Sequence, residues 1–228
     1  MNTLTTSPLP ELLSRLFADA DASDAEMRKQ RANATPEEIA RRAQSSDYRA
    51  FYALAKDYHL AVSPETGSLL YMLARSMGAR TIIEFGTSFG ISTLHLAAAL
   101  KDNGGGRLIG SEFEPGKVKH AQENLRAGNL HEFVEVREGD ALETLARDLP
   151  PSIDLVLLDG AKPLYPKVLD LLEPRLRGGA LIVADNADWC PEYLARVRNP
   201  ANGYLSVAFA GDVELSMRLS GGSTGTYA

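Results

Sequence analysis

A glycine-containing turn separates two apolar segments in the stretch TIIEFGTSFGISTLHLAAAL, residues 81–100. A strand-like apolar pattern enters the turn, and a helix-like apolar pattern leaves it. The turn reads Gly86-Thr87-Ser88-Phe89-Gly90, and Glu84 precedes it. Three chemistries compete for such a turn: a hydrolase nucleophile elbow, a dinucleotide-binding loop, and the shorter loop that holds the amino-acid end of S-adenosylmethionine.

The hydrolase interpretation requires an acid and then a histidine after the nucleophilic serine. The histidines that follow Ser88 are His95, His120 and His131, which all lie in or beside the next two predicted helices. No histidine follows His131, so Ser88 would lack a general base. This interpretation is disfavoured.

The dinucleotide interpretation requires the fingerprint G-x-G-x-x-G, but the turn offers only Gly86 and Gly90. Glu112 follows at about the distance expected of a ribose-binding carboxylate, roughly twenty residues on. A carboxylate there accepts hydrogens from the hydroxyls of any nucleoside. Glu112 therefore indicates a nucleoside ligand without choosing which one.

The third interpretation accounts for Glu84 as well. Its carboxylate would repel a pyrophosphate but suits a ligand that carries an amino group and a sulfonium. Ser88 and Ser92 can bond the ligand's carboxylate near a helix N-terminus, where anions are favoured. A plainer alternative stays open, in which Glu84 is only a strand-end residue and the glycines only mark a turn.

The elements that must position this turn alternate between strands and helices from residue 80 onward. The pattern predicts five strands, with a helix after each; the third of these helices is expected over 141–149. Such alternation indicates a parallel sheet covered on both faces. The segments YLSVAF and VELSMRLS flank a turn at 210–212 and predict a final antiparallel hairpin.

In an open sheet of this kind, ligands bind beyond the carboxyl ends of the strands. The five predicted strand ends all carry a glycine, an acid or both: Glu84–Gly90, Glu112–Glu114, Gly139–Ala141, Asp159–Lys162 and Asp185–Asp188. We therefore expect the functional residues to lie there.

Composition limits the partners and the compartment. The chain has 228 residues and a net charge of -6 without a long basic run, which argues against binding to nucleic acid. Cys190 is the single cysteine, so an internal disulfide and a cysteine-based zinc cluster are both excluded. No segment resembles a secretory signal or approaches transmembrane length. We expect a cytoplasmic protein that has no contact with membranes.

The chain is predicted to have two parts. Residues 1–60 are polar and helical in pattern, with Thr35 as a helix cap, and we expect an extension that caps the site, pairs subunits or both. Residues 61–228 hold the α/β domain, which opens with a helix capped by Ser63. Aromatic residues of the extension, Tyr48, Phe51, Tyr52 and Tyr58, are candidates for a lid, an interface or a buried helix face.

Five motifs occur in order: IIEFGTSFGIST, GSEFEP, EGDALETL, LVLLDGAK and LIVADNAD. Together they resemble the S-adenosylmethionine-dependent class I O-methyltransferases of the catechol and caffeoyl-CoA type, over about residues 62–219. The resemblance implies a doubly wound, Rossmann-like methyltransferase sheet that is mostly parallel and ends in an antiparallel hairpin. It also implies transfer of a methyl group to a hydroxyl of a small aromatic, catechol- or phenol-like acceptor, and a homodimer.

Carried over position by position, the resemblance assigns residues to each part of the cofactor. Those around its methionine part would be Val62, Glu84, Gly86, Thr87, Ser88, Gly90 and Ser92. Glu112 would hold the ribose hydroxyls and Phe113 would lie against the adenine, beside Asp140 and Ala141. Asp159 would border both the cofactor and the reacting groups.

The resemblance also implies a divalent cation, usually magnesium, with Asp159, Asp185 and Asn186 as ligands, and Lys162 as the catalytic lysine. Two carboxylates and an amide carbonyl are hard oxygen donors that suit magnesium. A bound dication lowers the pKa of a coordinated hydroxyl, and Lys162 beside it could accept the proton. The alternative is that Asp185-Asn186 is only a strand-end turn and Lys162 a surface lysine.

The sequence departs from the catechol enzymes near the acceptor. Gly160 and Ala161 stand where those enzymes have bulky and polar residues, and Trp189 offers another aromatic wall. Glu214 is an imperfect match for the acid that grips the second catechol hydroxyl. Two rival functions remain open: a metal-independent O- or N-methyltransferase, and a non-catalytic sensor that binds S-adenosylmethionine.

Overall fold

The computed structural model describes residues 2–32, 35, 48, 55–209 and 211–220. Within these ranges one seven-stranded sheet has the order β3-β2-β1-β4-β5-β7-β6. Its strands are β1 (Thr81–Phe85), β2 (Arg107–Glu112), β3 (Val134–Glu138), β4 (Ile153–Leu158), β5 (Leu176–Ala184), β6 (Tyr204–Phe209) and β7 (Val213–Arg218). Strands β1 to β5 are parallel, and β7 runs antiparallel to both β5 and β6. The predicted mixed sheet with a C-terminal antiparallel hairpin is confirmed.

Helices cover both faces of the sheet. Numbered over the described residues, they are α1 (Leu9–Ala32), α2 (Pro64–Ser76), α3 (Ile91–Asp102), α4 (Pro115–Ala127), α5 (Ala141–Thr144), α6 (Tyr165–Leu172) and α7 (Pro191–Val197). Neighbouring strand residues point to opposite faces, so Ile83 packs with α6 and α7 whereas Ile82 packs with α2 and α3. Among the described residues, no helix combines the length and the apolar character that a membrane span needs.

Helix α5 is shorter than predicted. The sequence predicts a helix over 141–149, but the structure ends it at Thr144. The guanidinium of Arg137 donates to the backbone carbonyls of Thr144, Arg147 and Asp148 at 2.7, 2.7 and 3.3 Å. Because these bonds gather the carbonyls around one side chain from β3, the chain turns away from a helical path.

The described part of the N-terminal extension packs directly on the α/β domain. Leu9, Leu12 and Leu16 of α1 share a buried cluster with Leu94 of α3. Ahead of α1, both the amide and the hydroxyl of Thr3 donate to Asp102 at the end of α3, at 2.9 and 2.5 Å. The cap or pairing role of residues 1–60 stays a prediction.

Part of that extension lies outside the described residues. This applies to the helix predicted after Thr35 and to Phe51 and Tyr52, whereas Tyr48 and Tyr58 are described.

The order of the strands fixes the position of the site. In the sheet, β2 and then β3 lie on one side of β1, and β4 and then β5 lie on its other side. The connections therefore diverge at the carboxyl ends of β1 and β4, which leaves a crevice between them. The glycine turn and the Asp159–Lys162 segment both leave the sheet at this point.

Candidate active site

The glycine turn lies tightly against the end of β4. The φ angle of Gly86 is +97°, and a Cβ atom there would come within 2.6 Å of the Asp159 carbonyl oxygen. The amides of Gly86 and Thr87 donate to the Ser111 carbonyl at the end of β2, at 3.0 and 3.3 Å. Glycine is required because the backbones of the turn and of β4 meet without room for a side chain.

Glu84 supports the turn from beneath. Its side chain is fully buried and accepts hydrogen bonds from the hydroxyls of Thr87, Ser92 and Thr93 at 2.9, 2.7 and 2.6 Å. Burial raises the pKa of Glu84, and the three hydroxyls act against that rise. Glu84 lies outside the set of residues that line the neighbouring cleft. Its predicted contact with the cofactor's amino group stays a prediction.

A cleft with two adjoining hollows opens above the turn. The hollows share Leu60, Gly86, Ser88 and Asp159 in their walls. Most of the predicted cofactor residues line one hollow or both: Val62, Gly86, Thr87, Ser88, Ser92, Glu112, Phe113, Asp140, Ala141 and Asp159. Gly90 instead forms the N-terminal boundary of α3, where it faces Ala121.

The carboxylate of Glu112 is held in a fixed orientation at the end of β2. One oxygen accepts from the Ser88 amide at 2.8 Å, and the other accepts from the Glu114 amide at 2.9 Å. Each carboxylate oxygen has two lone pairs, so both can still accept from a ligand. An oriented acceptor in the wall of the cleft suits the ribose role predicted from the sequence, which stays a prediction.

A short segment before α2, residues 59–62, covers the smaller hollow, and we call it the strap. The Ser88 hydroxyl donates to the His59 carbonyl at 2.5 Å, and the His59 ring stacks on Phe89 with centroids 4.0 Å apart. The ring nitrogen Nδ1 of His59 lies 2.8 Å from the Ser23 hydroxyl of α1. Ser88 therefore bonds a carbonyl rather than a ring nitrogen, which agrees with rejecting a serine hydrolase.

Tyr48 is part of the wall of the larger hollow. Its hydroxyl donates to Asp140 Oδ2 at 2.8 Å, and its side chain lines the hollow beside Ala141 and Leu164. Asp140 also caps α5 by accepting from the Leu142 amide at 2.9 Å. The sequence suggested Tyr48 as one possible lid residue, but only the fold identifies its partner.

Lys162 is largely but not fully buried and pairs with Asp159. Its ammonium lies 3.0 Å from Asp159 Oδ1 and 5.4 Å from the centroid of the Tyr165 ring. The exposed fractions of the two charged side chains are only 13% and 10%. The alternative of a solvated surface lysine is therefore wrong. Burial raises the pKa of Asp159, and the charge of Lys162 opposes that rise.

Asp185, just after β5, brings a second carboxyl next to Asp159. The two side chains interact directly, and burial followed by the charge of Asp159 raises the pKa of Asp185 to about 7. Two carboxylates forced together in a buried site favour a cation between them. This donor pair fits a divalent ion.

Asn186 offers a third oxygen through its amide. Its Nδ2 donates to Asp212 Oδ2 in the β6–β7 turn at 3.1 Å. This bond does not use the amide oxygen, Oδ1. The described residues hold no group of three or more His, Cys, Asp or Glu side chains arranged for a metal. The cation site predicted from the sequence, with Asp159, Asp185 and Asn186 as ligands, stays a prediction.

Two departures from the catechol pattern now have structural explanations. A Cβ atom on Gly160 would collide with the Phe85 ring, so a glycine is required there. Glu214 is 1% exposed and bonds the Arg198 guanidinium through both oxygens, at 2.9 and 2.7 Å. Its charge is therefore satisfied away from the cleft, and Asp212 is the acid of this hairpin that lies beside Asn186.

The sequence did not identify residues 59–61 of the strap or Lys117, a buried lysine in the wall of the cleft; Val62 is the one strap residue that it predicted. No motif marks either of them, because both depend on which segments the fold brings over the glycine turn.

Comparison with known proteins shows that this chain is similar to methyltransferases. A family model described as a methyltransferase domain matches residues 83–187. Catechol O-methyltransferase from Niastella koreensis is 36% identical over 130 residues, which cover 56% of this chain. The match spans 58% of the length of that relative.

Solved structures extend the match to most of the chain. The cofactor-bound protein Rv0187 from MTB has a TM-score of 0.64 at 26% identity, covering 77% of this chain and 91% of that one. The O-methyltransferase TomG from Streptomyces achromogenes, solved in complex with SAM, has a TM-score of 0.61 at 24% identity. That match covers 87% of this chain and 97% of TomG, and at this identity it bears on the fold alone.

Proposed function

We propose that this chain, which is similar to a methyltransferase-domain family over residues 83–187 and to catechol O-methyltransferases, methylates a hydroxyl of a small acceptor with S-adenosylmethionine as the methyl donor. The acceptor we propose is aromatic, of the catechol or phenol type. The observation that carries the proposal is the largely buried Lys162–Asp159 pair, whose aspartate lines both hollows of the cleft. A lysine buried beside a carboxylate at a strand end is placed to act on a proton.

The cleft divides the cofactor between its two hollows. Glu112 accepts the ribose hydroxyls, while Phe113 and Ala141 provide the surface for the adenine. The smaller hollow, between the glycine turn and the strap, takes the methionine part. When bound there, S-adenosylmethionine supplies a methyl group on a positively charged sulfur. The adjacent carboxylate of Asp159 suits that positive charge.

Asp159, Asp185 and the Asn186 amide oxygen would hold a divalent ion, with magnesium as the first candidate. The ion supplies positive charge that lowers the pKa of a neighbouring hydroxyl. Its presence would also relieve the repulsion between the two buried carboxylates. These oxygen donors come from the ends of β4 and β5, which pair in the sheet.

Lys162, in its neutral amine form, would take the proton from the acceptor hydroxyl at Nζ and become an ammonium. A nearby positive charge favours that neutral form by lowering the pKa of a lysine, whereas the carboxylate of Asp159 alone favours the ammonium. Asp159 holds that nitrogen at 3.0 Å, so the lysine cannot swing freely into solvent. The side chains of Phe85, Leu60 and Leu164 line the larger hollow and exclude water from the reacting groups. The protein's contribution is thus mainly to position the two reactants and to remove one proton.

Transfer of a labelled methyl group from S-adenosylmethionine tests the proposal. We expect label in catechol but none in 1,2-dimethoxybenzene, which has the same ring without a hydroxyl. Asp185→Asn should abolish transfer, while the exposed Asp188→Asn should retain it because Asp188 follows in the same loop without being one of the donors. Cofactor binding without transfer to any member of a phenol panel would instead indicate a sensor.

Chelation separates the two enzymatic alternatives. We expect EDTA to remove activity and added magnesium to restore it. Full activity after removal of divalent ions would show that Asp159, Asp185 and Asn186 act without a metal. The rival metal-independent methyltransferase would then be correct.

A further inference from the structure

Lys117 is a buried lysine in the wall of the nucleoside cleft. It lies in the first turn of α4, which follows β2, and its exposed fraction is 3%. It lines the larger hollow together with Glu112, Phe113 and Asp140. Lysine is among the residues least often buried without a partner, so its position calls for an explanation.

Within the described part of the chain, the ammonium of Lys117 has no hydrogen bond and no ion pair. Its ammonium lies over the Phe89 ring, 5.7 Å from the ring centroid. Burial lowers the pKa of Lys117, whereas the charges of Glu112 and Asp24 act against that fall. Lys117 is 3% exposed and lines the larger hollow, so a bound ligand with an oxygen lone pair could supply the hydrogen-bond acceptor that its ammonium lacks within the protein.

Glu112 lies in the same wall, and its charge acts on Lys117, but within the described residues no hydrogen bond or ion pair joins the two side chains. Both oxygens of Glu112 accept from backbone amides, of Ser88 and of Glu114, at 2.8 and 2.9 Å. The wall therefore presents a fixed acceptor, Glu112, and a donor without a partner, Lys117. A hydroxyl group suits this combination because it donates one hydrogen and accepts another. A carboxylate would satisfy Lys117 but would be repelled by Glu112.

We propose that Lys117 binds the ribose of the cofactor, donating to a hydroxyl oxygen while Glu112 accepts a hydroxyl hydrogen. This inference rests on the proposed binding of S-adenosylmethionine and adds a residue to its recognition. It makes Lys117 a determinant of affinity for ligands with a ribose diol.

The test compares Lys117→Met with Lys119→Met, an exposed lysine of the same helix. Calorimetric titration uses two probes: S-adenosylhomocysteine, and 5′-methylthioadenosine, which keeps the ribose and lacks the amino-acid carboxylate. We expect Lys117→Met to weaken both ligands by about ten- to hundredfold, the range for a hydrogen bond from a charged donor. Lys119→Met should bind both like the native chain.

The remaining outcomes would contradict either the role of Lys117 or the proposed function. Native affinity of Lys117→Met for both ligands would overturn the inference. A loss for S-adenosylhomocysteine alone would overturn it too, by assigning Lys117 to the carboxylate. Urea unfolding should show Lys117→Met to be at least as stable as the native chain, because a methionine removes a buried charge. If the native chain binds neither probe, the proposed function itself fails.

Discussion

The Lys162 ammonium and Asp159 Oδ1 lie 3.0 Å apart where β4 ends, with both side chains largely buried. They are three residues apart in the sequence, and the short turn of Lys162–Leu164 directs the lysine back towards the strand end. The pair thereby places a basic nitrogen beside the cleft. Asp159 itself lines both hollows, so the pair would connect the proposed cofactor site to the proposed site of proton transfer.

Replacing Lys162 by arginine tests whether the residue acts through its positive charge or by accepting a proton. Lys162→Arg keeps the positive charge beside Asp159, but an arginine does not give up its proton at neutral pH. We expect kcat to fall by about 10²- to 10⁴-fold, the usual contribution of a general base. Affinity for S-adenosylhomocysteine should be retained. Steady-state kinetics and calorimetry measure the two quantities, with the exposed Lys167→Arg of α6 as control. A native kcat for Lys162→Arg would eliminate the proton-transfer role.

We expect Asp212 to strengthen metal binding by holding the side chain of Asn186 in one orientation. Because an ionised carboxylate only accepts, the Asn186 amide must turn its NH₂ towards Asp212, which leaves the carbonyl end for a cation. Asp212→Ala should weaken manganese binding by about tenfold or more, as loss of such supporting contacts does elsewhere. Asp212→Asn, which still accepts from Asn186, should bind nearly as well.

Manganese affinity is measured by calorimetry with S-adenosylhomocysteine present, and Asp188→Ala serves as control for the lost charge. Equal losses in Asp212→Ala and Asp212→Asn would indicate that charge alone matters.

Glu84 should be important for stability. Its removal leaves the hydroxyls of Thr87, Ser92 and Thr93 without their shared acceptor in a buried site. We expect Glu84→Ala to lower the free energy of unfolding by about 1–3 kcal/mol or more, the cost of unsatisfied buried polar groups. Urea unfolding measures it, with the exposed Glu132→Ala as control. Unchanged stability would mean that the three hydroxyls find other partners at no cost.

Asp102 links the N-terminus to α3 and should make stability depend on acid pH. Burial alone would raise the pKa of Asp102, but hydrogen bonds from Thr3 and Tyr71 outweigh it and leave the pKa below 3.8. Because the pKa of Asp102 is lower in the folded state than the unfolded value of 3.8, its ionised carboxylate stabilises the fold at pH values above 3.8. That contribution is lost as the pH falls through the folded value.

Asp102→Asn should therefore be less stable than the native chain at pH 6 and should lose less of its stability between pH 5 and acid pH. Urea unfolding across this range measures both effects, with the exposed Asp57→Asn as control. Parallel stability curves for Asp102→Asn and the native chain would contradict the assignment.

The sequence determined the sheet, its parallel part and its final hairpin, because apolar periodicity and turn residues are local properties. It also located the cleft, since strands that run parallel bring their carboxyl ends to one edge. Glu112, Asp140 and Asp159 were identified in this way, each from its position after a strand. The predicted length of α5 was wrong because the guanidinium of Arg137, on β3, donates to the carbonyls of Thr144 and Arg147. The sequence pattern of the helix does not reveal this contact.

Only the tertiary structure decided the partners of the charged residues. The three hydroxyls around Glu84, the buried position of Lys117 and the contact between Asn186 and Asp212 join segments that are separate in the chain. Periodicity says which face a residue occupies, but not which atom of a distant segment lies opposite. That choice depends on strand order and on the close approach of backbones at Gly86, which are set only when the whole sheet is assembled.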